Sequence, residues 1–235
     1  MGAETLTIPG RFNGPRDSGN GGYSCGLFAS LIDGPAEVSL RAPVPVDTEL
    51  RGVPCGDGGA DILDGDMLVA TVEPVEELDL EVPETVKLDE AREGSKLYRG
   101  VEDGPFSHCF VCGLARKDAF GVFAGEVEGK RVVASPWTPR ADAAGGDGTV
   151  ADEFIWAVLD CPTYFAAYYG EDLEMSVLAR QQVRIDGPVR AGEEHVVMAW
   201  PISTNGRKRL TGCALLSAGG ETLARGQVLM VAIPA

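Results

Sequence analysis

Twice along this chain, an apolar helical segment with a helix start signal is followed by a run of strands separated by turn residues. That repeated order constrains the fold more than any other feature of the sequence. In the first occurrence Asn20 is a good helix N-cap. Gly21 and Gly22 open the run "YSCGLFASLI", and Asp33-Gly34-Pro35 stops it. Strand-like segments follow: "AEVSLRAPVPV", "TELRGVPCG" and, after the turn Asp64-Gly65, "DMLVATVEP". In the second, "FGVFAGEV" and "KRVVASPWTP" flank Glu128-Gly129 and read as a hairpin. Thr149 is the expected cap of a helix over residues 150–169, with Asp152 and Glu153 in its first turn, where the helix dipole favours anions. Pro162 is expected to kink that helix or to start a second one. Four strands follow, "VLARQQVRIDGPVRAG", "EHVVMAWPIST", "RLTGCALLSA" and "ETLARGQVLMVAIP", the last two paired across Gly219-Gly220.

Each half thus reads as one buried helix followed by an antiparallel meander. Local signatures recur in the same order: "APVPVDTEL" matches "GPVRAGEEH", and "DGDMLVA" matches "GGETLAR". An internal duplication is the economical explanation. Between the halves, "PVEELDLEVPETVKLDEAREGSKLYRGVEDGP" is rich in Glu and Asp, contains three prolines and holds no sustained period beyond a short helix in "ETVKLDEAREG". A chain of 235 residues accommodates two domains of about 100 residues each. The expected division is an N-terminal half over 1–75, an acidic linker over 76–105 and a C-terminal half over 106–235.

Composition narrows the function classes. A formal charge of −16, with no basic cluster beyond "GRKR" at 206–209, argues against nucleic acid as a partner. The sequence contains no run of about 18 apolar residues, so no membrane-spanning helix is expected. The start "MGAETLTIPGRF" lacks a basic segment followed by an apolar one, so no signal peptide is expected and a cytoplasmic location is the default. The six cysteines are then expected to be reduced. A polyanionic ligand would need a local basic patch, for which Arg184, Arg190, Arg207, Lys208 and Arg209 are candidates. The same five also read as solvated strand and turn residues.

The stretch "CFVCGLARKDAFGVFAGEVEGKRVVASPWTP", Cys109 to Pro139, resembles the hotdog-fold acyl-CoA thioesterases of the PaaI-like group. Members of that family often begin with Cys-x-x-Cys-Gly, an apolar hairpin and a loop. A His-Gly-Gly sequence then opens a central helix that ends in Leu-Asp. Here "ADEFIWAVLD" keeps Leu159-Asp160 and has Ala151-Asp152-Glu153 in place of the glycine loop. "NGGYSCGLFA" has Asn20-Gly21-Gly22 in the loop position and Ala29 where the carboxylate would fall. The resemblance covers roughly 106–235 and, more faintly, 5–75. It implies a double hotdog of the α+β class: two antiparallel sheets, each wrapped around a central helix and joined into a pseudo-dimer, with sheet edges and faces that support homo-oligomers. It also implies one composite site that keeps both parts, and a reciprocal one that keeps neither.

The activity implied is hydrolysis of an acyl thioester carried by coenzyme A or by a carrier protein. Unpaired N–H groups at a helix N-terminus can hold the oxyanion, and glycines allow the carbonyl to approach. Gly21 and Gly22 are the expected donors, Asn20 an orienting donor, and Asp160 the base or nucleophile. Tyr23 and Trp156 are expected to line the acyl pocket, as Trp137, Tyr164, Phe165, Tyr168 and Tyr169 also could, with Arg184 and Arg190 at the substrate's phosphates. Without the resemblance, Asp160 also reads as a surface residue or a cap before Pro162, the aromatics as core, and Asn20-Gly21-Gly22 as a capped loop. His108-Cys109-x-x-Cys112 suggests zinc, but there is no second Cys-x-x-Cys or His pair to complete four ligands, so neither a metal nor another cofactor is expected. Two further readings stay open: a non-catalytic acyl-ligand binding or assembly protein, and a hotdog enzyme of another class such as a hydratase or dehydratase.

Overall fold

The computed structural model describes residues 4–56 and 58–233. The outermost residues of the expected halves, 1–3 and 234–235, and the Pro234 end of the last predicted strand lie outside the described residues. In the first part of the chain, β1 (Glu4–Thr7) precedes helix α1 (Gly21–Ala29). Strands β2 (Ala36–Leu40), β3 (Glu49–Pro54), β4 (Ala60–Asp64) and β5 (Met67–Pro74) follow. The acidic connector holds α2 (Leu88–Ser95), the helix anticipated in "ETVKLDEAREG". Then come β6 (Gly125–Glu126), β7 (Val133–Trp137), α3 (Asp152–Ala167), β8 (Ser176–Ile185), β9 (His195–Asn205), β10 (Lys208–Ser217) and β11 (Thr222–Ala232).

The two expected sheets are one continuous antiparallel sheet of eleven strands, ordered β1-β3-β4-β5-β2-β8-β11-β10-β9-β7-β6. The join is made by β2 against β8, with Glu37, Val38 and Ser39 opposite Gln182, Gln181 and Arg180. These are the strands that leave α1 and α3, so chain continuity places both helices beside the seam. From the seam outwards the order reads β2-β5-β4-β3-β1 in one direction and β8-β11-β10-β9-β7 in the other. Position by position, the two series correspond in their sequence from the preceding helix. Short strands β1 and β4 were not separate elements in the sequence reading, because "ETLT" and "ADILD" carry too few alternating residues to rise above their turns.

Helix α3 packs across β7 to β11 and is buried along nearly its whole length, from Phe154 to Thr163. A helix apolar on every side belongs inside a sheet's curvature. Its start differs from expectation. Ala151 occupies the N-cap position with no side-chain cap, because Thr149 Oγ1 is held by Asp147 at 2.9 Å and by Arg190 at 2.7 Å. Pro162 neither ends nor restarts the helix, which runs on to Ala167. Packing around the buried Pro162 outweighs the missing backbone donor, and Thr163 Oγ1 donates to the Asp160 carbonyl at 2.6 Å.

Helices α1 and α3 cross at close range through glycine. A Cβ at Gly22 would stand 2.6 Å from the Trp156 carbonyl oxygen, and one at Gly26 would stand 2.7 Å from Glu153 Cα. Their four-residue spacing puts both glycines on the α1 face that meets α3. No helix among the described residues is long and apolar enough to cross a membrane.

Candidate active site

The helix crossing brings the start of α1 against the middle of α3. Asn20 caps α1 as anticipated, its Oδ1 accepting the Tyr23 N–H at 2.9 Å. Its Nδ2 points away from the helix, 3.7 Å from Cys109 Sγ and 3.9 Å from Cys161 Sγ. Asp160 projects from α3 toward the same point and is 7% exposed. Its Oδ2 accepts the Gly22 N–H at 2.9 Å. A Cβ on Gly21 would stand 3.1 Å from Leu178 Cβ and 3.3 Å from Asp160 Oδ2, so the first turn of α1 lies directly against the carboxylate.

These groups border a largely apolar cavity of about 590 Å³. Its walls come from the Gly14–Gly21 loop, from Leu40 to Val44 after β2, from α3 at Asp160, Cys161, Tyr164 and Phe165, and from β8 at Ser176 to Ala179. The volume is that of a small-molecule site, and apolar walls with a few polar groups are the usual composition of one. Burial pushes the Asp160 carboxyl up to about 7, against a lowering by the Gly22 N–H, with the negative charge of the Cys109 sulfur adding to the rise. Cys109 itself is held well below the ordinary thiol range by hydrogen bonds from the Cys112 and Cys161 thiols, which are pushed up in turn.

Of the residues expected at the site, Asn20, Gly21, Gly22 and Asp160 come together; the four expected to bind substrate do not line this cavity. Tyr23 is 5% exposed in an aromatic cluster, stacked on Phe12 at 4.5 Å between centroids, because the helix turns it away from the carboxylate. Trp156 lies one turn before Asp160 on α3 and faces a different cleft. Arg184 borders that second cleft and is paired with Asp186 at 2.6 Å and Glu77 at 3.3 Å. Arg190 is taken up by the Asp147 carbonyl and Thr149 Oγ1. Of the other basic candidates, Arg209 is buried against the Tyr168 ring and pairs with Glu171 at 2.8 Å. Of the wider aromatic set, Tyr164 and Phe165 line the cavity, whereas Tyr168 is buried with its hydroxyl on Ser176 Oγ at 2.6 Å.

The second cleft, about 420 Å³, is bordered by Ala29 on α1 and by Asp152 and Glu153 on α3. These are the positions that correspond to Asp160 and to the glycine pair in the parallel reading of the two helices. It therefore has carboxylates where the first cavity has N–H groups, and a methyl group where the first has a carboxylate.

Sequence reasoning missed three features of the main cavity. Arg41, just past β2, stands on its wall with Nη2 3.2 Å from Thr71 Oγ1. Leu178 closes the side of Gly21. Cys161 joins Cys109 and Cys112, their three sulfurs lying within 4.8 Å of one another. Nothing in a chain separation of 52 residues signals that meeting.

An antiparallel sheet packed on two buried helices that touch one another is the arrangement of a hotdog-type fold. Among solved structures, the chain is similar to the tesB protein of Mycobacterium avium subspecies paratuberculosis, with a TM-score of 0.61 at 12% identity over 99% of this chain and 93% of that one. Shorter matches include a thioesterase superfamily protein at 22% identity and a TM-score of 0.47, covering 52% of this chain and 62% of that chain's length. The PaaI protein from the phenylacetic acid degradation operon of E. coli matches at 12% identity and a TM-score of 0.47, over 64% of this chain and 98% of that one. No family model and no curated protein matches the chain.

Proposed function

We propose that this chain is a double-hotdog thioester hydrolase, acting on an acyl group carried by coenzyme A or a carrier protein. The observation that carries this reading is the placement of Asp160 against the N-terminus of α1 at one end of an apolar cavity. The mirrored strand order on either side of the β2–β8 seam supports an internal duplication, and a pseudo-dimer built within one chain.

The residues divide the work as follows. Gly22 holds Asp160 through its N–H and so positions the carboxylate rather than the substrate. Gly21, whose N–H has no partner among the described residues, supplies the oxyanion donor together with the positive end of the α1 dipole. Asn20 caps the helix and turns its amide toward the cysteine sulfurs. Asp160 takes a proton from water as the oxygen attacks the acyl carbonyl carbon. The tetrahedral oxyanion forms at Gly21, the C–S bond breaks, and the proton passes from Asp160 to the leaving thiolate. Burial suits the carboxylate to this, because a desolvated base is stronger than a solvated one. Tyr164, Phe165 and Leu178 receive the acyl group, and Arg41 meets the phosphates of the carrier arm. The cleft at Asp152 and Glu153, with Ala29 at the position that corresponds to Asp160, is the inactive counterpart.

The test is thiol release from short, medium, long and aryl acyl-CoAs, with Asp160→Asn measured beside wild type. Turnover lost in the variant supports this assignment. Equal turnover in both removes Asp160 from the mechanism. A thermal shift with acyl-CoA but no thiol release from any carrier would replace hydrolysis by ligand binding.

A further inference from the structure

Cys109, Cys112 and Cys161 converge at the end of the cavity where the Asn20 amide stands. Buried cysteines commonly serve as small apolar side chains, and such residues need no hydrogen-bond donors. Here the donors are present. Val111 N–H is directed at Cys109 Sγ at 3.4 Å, and Asn20 Nδ2 lies near both Cys109 and Cys161. N–H groups aimed at sulfur favour a thiolate, which is the form that binds metal.

The turn that carries the first two sulfurs is built for this. In "CFVCG" the Gly113 N–H returns to the Cys109 carbonyl at 2.9 Å. A Cβ at Gly113 would stand 2.5 Å from the Ser107 oxygen and 2.6 Å from the Cys109 oxygen, so only glycine closes the turn. That closure leaves the Val111 N–H facing the first sulfur. The turn is anchored on both sides. Phe110 N–H bonds the Asn13 carbonyl at 3.0 Å, and Tyr98 Oη donates to the Cys112 carbonyl at 2.8 Å. Cys161 arrives from α3, itself buried and fixed by the sheet. Its sulfur is 3.7 Å from that of Cys109. Two thiolates on a tetrahedral zinc, each at about 2.3 Å, are separated by about 3.8 Å.

We propose that Cys109, Cys112 and Cys161 bind one zinc ion through three thiolates, with the fourth coordination position open to the cavity. Asp160 lines the same cavity but falls outside the group of ligand atoms that lie within 4.8 Å of one another, which leaves that position to water or a ligand. Three protein ligands with one open position is the arrangement of zinc sites that interact with substrates.

The inference does not depend on hydrolysis, and its test requires no turnover. The reduced, chelator-treated full chain is titrated with cobalt(II) and then with zinc, following thiolate-to-cobalt charge-transfer absorption. Mass labelling of the cysteines with an alkylating agent is run with and without zinc. The expected result is saturation at one ion per chain, with Cys109, Cys112 and Cys161 protected together by zinc. Cys161→Ser should weaken binding at least about 100-fold, while Cys55→Ser, at an exposed position, leaves it unchanged. The labelling of wild type decides the matter even if the Cys161 variant fails to fold. Absence of charge-transfer absorption, labelling unaffected by zinc, or full binding by a folded Cys161→Ser would each overturn the site.

Discussion

Asp160 Oδ2 accepts the backbone N–H of Gly22 at 2.9 Å, across 138 positions of sequence. That bond ties the middle of one buried helix to the first turn of another, and it explains why the glycine pair of α1 is not two equivalent donors. Gly22 serves the carboxylate, whereas the Gly21 N–H has no partner among the described residues.

Asp160→Asn should therefore lower kcat/KM for acyl-CoA hydrolysis by about 10²–10⁴-fold, the usual contribution of a general base. Asp152→Asn, in the cleft where Ala29 stands in place of Asp160, should stay within about threefold of wild type. Thiol-release assays on both variants measure the contrast. A loss at Asp152 as large as at Asp160 would reassign the working site.

The two glycines should separate stability from chemistry. Gly22→Ala places a methyl group 2.6 Å from the Trp156 carbonyl, and overpacking of that kind costs about 1–3 kcal/mol. Gly21→Ala meets Leu178 Cβ at 3.1 Å and Asp160 Oδ2 at 3.3 Å, tight contacts that need a shift of only a few tenths of an ångström and involve no backbone atom. It should unfold near the wild-type denaturant midpoint yet lose most turnover, because the methyl group stands where the acyl carbonyl must approach. Chemical denaturation and kinetics on the same two proteins check both halves of this expectation.

Arg41→Glu should raise KM for acyl-CoA and leave KM for the corresponding acyl-pantetheine, which lacks the nucleotide phosphates, unchanged. An equal rise for both substrates would remove Arg41 from phosphate contact.

His195 gives a pH dependence of stability. It is 1% exposed, and its Nδ1 carries the proton toward the Glu193 carbonyl at 2.9 Å. Burial lowers its affinity for a second proton, with Glu193 acting in the opposite direction. The unfolded chain, with a pKa of about 6.5, then binds more protons below that pH than the folded one, so this group removes stability as pH falls through 6.5. The urea midpoint of wild type should drop more between pH 7.5 and pH 5.5 than that of His195→Gln. Parallel curves for the two proteins would contradict this.

Gln181, on β8 at the seam, is wholly buried, with Nε2 donating to the Trp156 carbonyl at 3.1 Å and Oε1 without a partner among the described residues. Gln181→Glu at pH 8 should cost several kcal/mol in denaturant unfolding, because an unpaired carboxylate would replace the amide in a dry site.

Local signals predicted the local structure. Asn20 does cap α1, Asp33-Gly34-Pro35 follows its end, and the Gly219-Gly220 turn joins β10 to β11. Each needs only neighbours in sequence, and side-chain period and turn chemistry carry that information. Where a distant partner competed, local reading failed. Thr149 is held by Arg190, far along the chain, as well as by nearby Asp147, and Pro162 starts no second helix, because packing carries α3 through to Ala167.

The candidate site divides in the same way. The sequence determined that a capped glycine turn and a helix bearing Asp160 would exist, and a family resemblance set them opposite one another. Only the tertiary structure decided what each group touches: that the Gly22 N–H is spent on Asp160, that Tyr23 turns into an aromatic cluster, and that Arg184 and Arg190 are paired elsewhere. It also decided that Cys161 meets Cys109 and Cys112. The reason is geometric. Periodicity specifies which face of a helix is buried, whereas contacts between faces depend on how closely two helices approach. Here that approach is set by Gly22 and Gly26 against α3.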